Sequence, residues 1–535
     1  SVGFWLATRA TTHHTIPTAA AERASALDPK ALVTLFATGF TSMAMEVVWT
    51  RQFTPYLGNS VYSFAAVLAV YLLASSAGSY LYRANIGGNA AQYEGAWLFA
   101  GALSLLPLYA ADPYLPLNAP LRIALGLIPL CGLLGFLTPS LIDRWSAGNP
   151  GRAGTAYAVN IVGCILGPLI AGFLLLPWME ERAALALLSA PLFLAGLRSA
   201  LRLRGGSFRL GRLTSVPLYA AVAGLAVMMS LFSSSVEDEV RRLNKNAQFK
   251  RDYQATVTVG GTGEERVLLV NGIGMTTLTP ITKIMAHLPL AFLPRPPRSS
   301  LVICFGMGTT FRSLVSWGIP ATAVELVPSV PSYFGFFHDD AAKVLSSPQA
   351  RVVIDDGRRF LARSTEQFDV ITVDPAPPMS AAGTSFLFSE EFYDEAKKRL
   401  APDGIMQIWI VEPLEPVVIS AFAKAIKNSF PYARVFRAFG GRGFHAIVSR
   451  NPIPAYTAAQ LTARLPQAAV RDLLEMGPEK TGAAQFQALL RAELPLDTLI
   501  LPDAESLRDD RPINEYFFLR QRFGAPAALL PVPAS

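Results

Sequence analysis

Between Ala31 and Phe232 the chain carries seven long apolar runs, and no other feature restricts its fold as severely. They lie near 31–49, 61–82, 96–111, 121–142, 156–176, 183–201 and 216–232. Most have the roughly 20-residue length that a helix needs to cross a bilayer. The run at 96–111 is short and rich in proline at its ends, which suits a re-entrant or interfacial segment. Backbone groups in lipid must be satisfied within the segment, so this half is expected to be a multi-pass α-helical membrane domain. Small residues stand where such helices must touch: Ala77-Gly78-Ser79, and Gly163, Gly167 and Gly172. Tyr157 and Trp178, near the ends of one run, suit the membrane interface. A composition of 51% hydrophobic and 16% charged residues is too apolar for an ordinary soluble protein of 535 residues.

Charge follows the same division. Residues 1–235 hold 14 Lys/Arg against 8 Asp/Glu, and the remainder holds 32 against 31. The net +7 therefore sits mainly at the flanks of the apolar runs, and no basic stretch with interleaved aromatics points to nucleic acid. With seven spans, Arg83, Arg144, Arg152, Arg198, Arg202, Arg204, Arg209 and Arg212 share one side. The positive-inside rule makes that side cytoplasmic and leaves the C-terminal part outside. Arg241, Arg242 and Lys245, just past the last run, pull the other way. The balance leans to an extracytoplasmic C-terminal domain on a cell (inner) membrane. Residues 1–30 read as a polar N-terminal segment without a signal-peptide core, and His13 and His14 as solvent-facing. Cys131, Cys164 and Cys304 have no metal-ligand spacing, and no metal is expected. Within the apolar runs, Glu46 is a functional candidate whose plainer reading is a salt bridge to Arg51 or a neighbouring helix. Asn160 reads as an interhelical hydrogen bond.

The second half changes pattern. Residues 236–253 read as a helical linker at the membrane surface. Residues 254–298 read as a small β-hairpin followed by a helix from Thr276 to Leu293, and 299–535 as an α/β domain with a helical tail. In that domain Leu301 to Phe305 is a strand running into Gly306-Met307-Gly308-Thr309-Thr310, where Thr309 or Thr310 can cap the next helix. Three further strands end in Glu325, in Asp355-Asp356-Gly357 and in Asp374-Pro375-Ala376-Pro377-Pro378. Open parallel sheets bind ligands at that carboxyl edge, where a carboxylate about twenty residues past a glycine turn takes ribose hydroxyls. The third glycine of the dinucleotide fingerprint is absent, since Phe311 stands there. The plainer alternative is that these acids are solvated helix caps.

These residues resemble the spermidine synthase (polyamine aminopropyltransferase) family, on the class I methyltransferase fold. The matching pieces are His287-Leu-Pro-Leu, Gly306-Met-Gly-Thr-Thr, Val324-Glu-Leu-Val-Pro328, Asp356-Gly357-Arg358 and Leu387-Phe-Ser-Glu-Glu-Phe-Tyr393. The resemblance implies a sulfonium nucleoside, decarboxylated S-adenosylmethionine or S-adenosylmethionine, held at Gly306, Gly308, Glu325, Asp356 and Gly357. Glu325 would take the ribose diol and Asp356 the adenine amino group. Asp374 would be the catalytic base that receives the proton of the attacking amine. Several positions depart from the family pattern. Met307 replaces an aspartate of the turn, Pro377 replaces the second acid of Asp-x-x-Asp-Pro, and Ile281 and Lys283 replace a Tyr and a Glu of the amine channel. Ser380-Ala-Ala-Gly-Thr-Ser stands where the family has its gate, and Asp509 to Tyr516 resembles a C-terminal motif read as structural. Together the halves resemble bacterial proteins described as fused transporter-like/spermidine synthase proteins.

Three functions follow as expectations. The first is a membrane-anchored transferase moving an aminopropyl or methyl group to an amine. The second is a non-catalytic synthase-like subunit of a membrane complex. The third is a transporter with Glu46 on a proton or cation path. The expected partners are the lipid bilayer, a small amine, and membrane-complex subunits or a second copy.

Overall fold

A computed structural model describes residues 29–84, 96–204, 215–374, 378–412 and 414–523. The N-terminal segment with His13 and His14, Arg209, Arg212 and Pro375-Ala376-Pro377 lie outside the described residues.

Each apolar run forms helix. Helix α1 spans Pro29–Leu57, α2 Val61–Ala84, α3 Ala96–Leu103, α4 Leu106–Ala110 and α5 Ala119–Ser146. Helix α6 spans Pro150–Ile170 and continues through a π-helical turn at Ala171–Leu175 to Trp178. Helix α7 spans Glu181–Arg204 and α8 Ser215–Phe232. Among the described residues four segments are long and apolar enough to cross a membrane: Lys30–Leu57, Val61–Ala84, Ala119–Ser146 and Pro150–Trp178. The short run is broken between α3 and α4, where Pro107 enters the first turn of α4.

Small residues set the helix contacts. A Cβ on Gly163 would stand 2.3 Å from the Phe36 carbonyl, one on Gly167 2.3 Å from that of Phe40, and one on Gly78 2.0 Å from that of Gly132. These backbones touch directly, so α1 packs on α6 and α2 on α5. Asn160 donates to the Leu35 carbonyl at 2.8 Å, the interhelical bond its position predicts. The expected Glu46–Arg51 salt bridge is absent. Arg51 points the other way and donates to the carbonyls of Asp252 and Tyr253 at 3.4–3.5 Å, while Glu46 Oε2 has no hydrogen-bond partner.

After helix α9 (Val236–Leu243) the small subdomain has four antiparallel strands rather than one hairpin: β1 Gln248–Arg251, β2 Thr256–Gly260, β3 Val267–Val270 and β4 Ile273–Thr277. The expected helix from Thr276 starts later, as α10 (Pro280–Phe292), because Thr276 and Thr277 pair with Leu268 and Val267 and Pro280 opens the helix.

The main domain is an eight-stranded mixed sheet with helices on both faces. Its strands are β5 Ser300–Ile303, β6 Ala321–Glu325, β7 Ala350–Ile354, β8 Phe368–Val373, β9 Leu400–Val411, β10 Tyr432–Arg437, β11 Gly443–Ser449 and β12 Glu493–Leu494. The order is β12-β10-β11-β9-β8-β5-β6-β7, with β5 to β9 parallel and β10 to β12 antiparallel. This is the class I methyltransferase arrangement, a Rossmann-like sheet whose strand order reverses beside β5. Its ligand crevice is expected between the carboxyl ends of β5 and β8.

The two halves meet at one end of the helical half. The Ala382 amide donates to the Asn59 carbonyl at 2.9 Å, and the Phe518 amide to the Tyr62 hydroxyl at 3.2 Å. Pro55 packs on Gly272, and the rings of Phe173 and Tyr253 stack at 6.0 Å. Arg83, Arg144 and Arg152 stand at the opposite helix ends. One basic residue escaped the sequence reading of this junction. Arg122, 4% exposed, donates to the carbonyls of Ala110, Asp112, Leu115 and Leu117 and so satisfies the end of α4 and its loop.

Gly167→Ala is expected to cost about 1–3 kcal/mol through its clash with the Phe40 backbone. Gly172→Ala, where the nearest atom is 4.0 Å away, is expected to be near neutral. Melting temperatures in detergent distinguish the two.

Candidate active site

The crevice is built from the ends of β5, β6, β7 and β8. Strand β5 stops at Ile303, and the chain turns sharply: Cys304, Gly306 and Gly308 have φ of 72°, 54° and 79°. Cys304 was expected inside the strand and instead begins the turn. At Gly308 a Cβ would lie 2.4 Å from the Phe334 ring, so only glycine fits. At Gly306 it would meet nothing within 4 Å, which leaves that side of the turn open for close approach. The turn feeds helix α11 (Thr309–Val315), whose N-cap is Gly308 without a side-chain cap. The threonines expected to cap it do other work. Thr309 bonds His338 Nε2 at 3.0 Å, and Thr310 faces Asp374.

Glu325, 6% exposed, ends β6 and bends back onto the turn. Its Oε2 accepts from the Phe305 amide at 2.8 Å and its Oε1 from Val327 at 2.9 Å. The carboxylate thereby braces the turn. Burial pushes its pKa up, partly offset by these backbone donors. Asp356 caps helix α12 (Gly357–Arg363), accepting from the Arg359 amide at 2.7 Å. Its plainer role is thus realised, with one carboxyl oxygen committed to the cap. Gly357 is required by packing, since a Cβ would stand 2.3 Å from Ile303 Cγ2.

Asp374 follows β8 and stands half-buried beside the turn. Thr310 Oγ1 lies 2.7 Å from Asp374 Oδ2 and 2.9 Å from the Thr282 carbonyl. One hydroxyl proton cannot serve both acceptors. A protonated Asp374 resolves this by donating to Thr310, which then donates to Thr282. The electrostatics agree: burial raises the Asp374 pKa to about 7, the Thr310 bond lowers it, and the nearby Glu325 raises it. A carboxyl that titrates near neutrality at the carboxyl edge of the sheet is matched to proton transfer.

Lys283 does not place an uncompensated positive charge in the crevice. It is fully buried, with Nζ 2.9 Å from Asp472 Oδ1 and 2.8 Å from Glu475 Oε2. Arg312 NH1 reaches the same Asp472 oxygen at 2.7 Å, and Ser313 Oγ donates to Oδ2 at 2.6 Å. Trp317 donates to His287 Nδ1 at 3.0 Å, so Nε2 carries the proton shared with Asp472 at 2.9 Å. Burial opposes ionisation of Asp472, but His287, Lys283 and Ser313 hold its pKa well below the usual carboxylate range. Asp472 and Glu475 lie on helix α16 of the tail (Gln467–Glu475, after α13 Glu390–Arg399, α14 Pro416–Ser429 and α15 Ala458–Ala463). Sequence reading had no local signal for them, since their partners are 159 to 192 positions away. Met307 is 3% exposed and packs in the core with Phe305, Phe311 and Phe334.

The loop at the gate position is fastened from two sides. Glu515 accepts from the Ser385 amide at 3.0 Å, and Asn514 donates to the Met379 carbonyl at 2.5 Å. Asp509 pairs with Arg358 at 2.7 and 2.8 Å. The motif from Asp509 to Tyr516 is therefore structural, as its sequence suggests, and what it holds is this loop.

Fold and crevice define a class I methyltransferase-type domain with a carboxyl, Asp374, at the carboxyl edge of its sheet. Comparison narrows the class: residues 279–439 match the family described as "Spermine/spermidine synthase domain". The chain is 26% identical over 465 residues to polyamine aminopropyltransferase 1 of Streptomyces coelicolor, covering 81% of this chain and 86% of that one. It is 27% identical over 415 residues to the polyamine aminopropyltransferase of Mycobacterium tuberculosis, covering 72% and 79%. Both likenesses cover more of this chain than residues 236–535 alone supply, so they reach into the helical half. The crystal structure of spermidine synthase from Thermotoga maritima aligns with 21% identity and a TM-score of 0.37, over 46% of this chain and 84% of that one. The C-terminal region is a spermidine synthase-like domain, joined to an apolar helical half.

Asp472→Ala leaves the fully buried Lys283 with Glu475 as its one remaining acid and is expected to cost about 3–5 kcal/mol in denaturant unfolding. Asp374 predicts a pH effect of opposite sign to that of a paired carboxylate. Its folded pKa is raised from 3.8 to about 7, so the folded domain binds more protons in that window. Stability then falls as pH rises from about 4 through 7. Asp374→Asn is expected to remove this slope in melts recorded from pH 4 to 9.

Proposed function

We propose that this chain is a membrane-anchored transferase that moves an aminopropyl or methyl group from a sulfonium nucleoside to an amine. The observation that carries this reading is Asp374, a half-buried carboxyl whose pKa is pushed up to about 7, beside an open glycine turn within the synthase-like region. The residues fit the donor. Gly306 leaves backbone open to close approach, Glu325 and Asp356 flank it at the ends of neighbouring strands, and Gly357 lets α12 pack closely on β5. When bound, decarboxylated S-adenosylmethionine or S-adenosylmethionine supplies an electrophilic carbon on sulfur.

Asp374 binds the acceptor nitrogen and takes its proton as the new C–N bond forms, while the electron pair of the broken C–S bond leaves on sulfur. Thr310 steadies the carboxyl through this change, since its hydroxyl can turn from Thr282 to the ionised oxygen. The relatives' names favour a polyamine acceptor, and neutralisation of Lys283 by Asp472 and Glu475 removes one objection to a cationic substrate. The second reading, a non-catalytic subunit in a membrane complex or homodimer, is favoured by Met307, whose side chain is apolar and buried where the family has an acid.

In this account α1 to α8 lie in the bilayer of a cell membrane, with the synthase-like domain at one face. Arg83, Arg144 and Arg152 at the opposite helix ends favour an extracytoplasmic domain. Protease cleavage near Gly383 from the outside of oriented vesicles is the expected result, and cleavage only from the inside reverses the orientation.

Transfer assays with both donors test the chemistry. The expected kcat/KM rises with pH on a limb of apparent pKa about 7, and Asp374→Asn lowers it about 10²–10⁴-fold. A pH-independent rate, or full activity in that variant, excludes Asp374 as the base.

A further inference from the structure

Helix α1 carries a feature that the transfer reaction does not use. Four of its side chains have buried polar atoms without a hydrogen-bond partner: Thr41 Oγ1, Glu46 Oε2, Trp49 Nε1 and Gln52 Oε1. Thr41 and Trp49 are fully buried. At 100° per residue the four fall within an arc of about 140°. Most of that arc lies opposite the α6 contacts, which meet α1 at Phe36, Gly39, Phe40, Ala44 and Val47, with Asn160 reaching round to Thr38. The orphans therefore line the interior of the bundle and not its lipid face. Each buried polar group left unpaired costs on the order of 1–3 kcal/mol, so four on one helix require a shared explanation.

The row has a mouth. Gln52 and Arg51 line a cavity of about 70 Å³ between the two halves, together with Glu180, Glu181, Arg182 and Glu237. From Gln52 inward, Trp49 and Glu46 follow at one-turn intervals. Thr41 lies eleven residues from the mouth, about 16 Å along the axis, roughly half of a 30 Å hydrocarbon layer.

The chemistry of the atoms selects the occupant. Glu46 Oε2 and Gln52 Oε1 only accept, whereas the Trp49 indole only donates. An ammonium group, which only donates, satisfies the acids and amides but not the indole. Water satisfies all four. We propose that α1 lines a hydrated half-channel running from the interdomain cavity to Thr41, and that Glu46 is its proton-exchanging group. A proton from the aqueous phase adds to Glu46 Oε2 and returns by the same path. This inference rests on the helical half lying in a bilayer, which retention of the protein in membranes after alkaline carbonate washing tests separately.

The test uses the full chain in lipid nanodiscs transferred to D₂O. The Trp49 indole N–H is followed by NMR and assigned with Trp49→Phe. The Glu46 carboxyl band is isolated by infrared difference against Glu46→Gln, with Asp374→Asn removing the crevice carboxyl from the spectrum. Should the glutamine variant fail to fold, Glu46→Asp assigns the band by its frequency shift. The expected result is deuteration of the indole at least 100-fold faster than the amides of β5 and β8, with a Glu46 band that follows bulk pH. An indole proton held as long as those amides overturns the half-channel. A Glu46 band indifferent to pH between 4 and 10 overturns its proton-exchanging role.

Discussion

One buried carboxylate, Asp472, holds the parts of the crevice in relation to each other. It accepts from Lys283 and His287 on α10 and from Arg312 and Ser313 on α11, while standing on the C-terminal tail. Helix α10 supplies the Thr282 carbonyl and α11 supplies Thr310, and these two groups frame Asp374. A charge cluster that sits outside the crevice therefore sets the geometry around Asp374. Ion pairs of this kind contribute less to net stability than to arrangement, because desolvation offsets much of their attraction. Their removal from one side is costly for the same reason.

Much of this was legible in the residues. The apolar runs gave helices because spanning length and small-residue contacts leave the chain few options. The β5 turn and the acids after β6, β7 and β8 were legible because a parallel sheet delivers its loops to one edge. What escaped had non-local causes. Asp472 meets Lys283 only through the tail, and Arg122 acts on carbonyls that exist only once α4 is broken. Lys283 appeared from sequence as a charge inserted into an amine channel, and its partners cancel it. Thr309 and Thr310 looked like caps because local rules cannot see His338 or Asp374. The helix expected from Thr276 begins only at Pro280, because Thr276 and Thr277 pair across to β3.

The junction between the halves gives the fused architecture a physical meaning. The loop at the gate position is tied to the helical half through Ala382 and Asn59 and to the tail through Ser385 and Glu515. Arg51, whose position in α1 suggested a partner for Glu46, is spent on the small β-subdomain. Glu46 is thereby left facing the bundle interior. The cavity at the end of α1 lies between the helical half and the small β-subdomain, lined by Arg51 and Gln52 on one side and Phe249, Thr256 and Asn271 on the other.

The central claim is that the crevice beside Gly306, Glu325 and Asp374 accepts a sulfonium nucleoside. Titration calorimetry of the full chain in detergent with decarboxylated S-adenosylmethionine and with S-adenosylmethionine measures this directly. Saturable one-site binding of one of them in the micromolar range, abolished by Gly306→Val, is the predicted result. Absence of heat with both donors, from protein whose melting curve shows it folded, contradicts the account and leaves the domain as a docking shape.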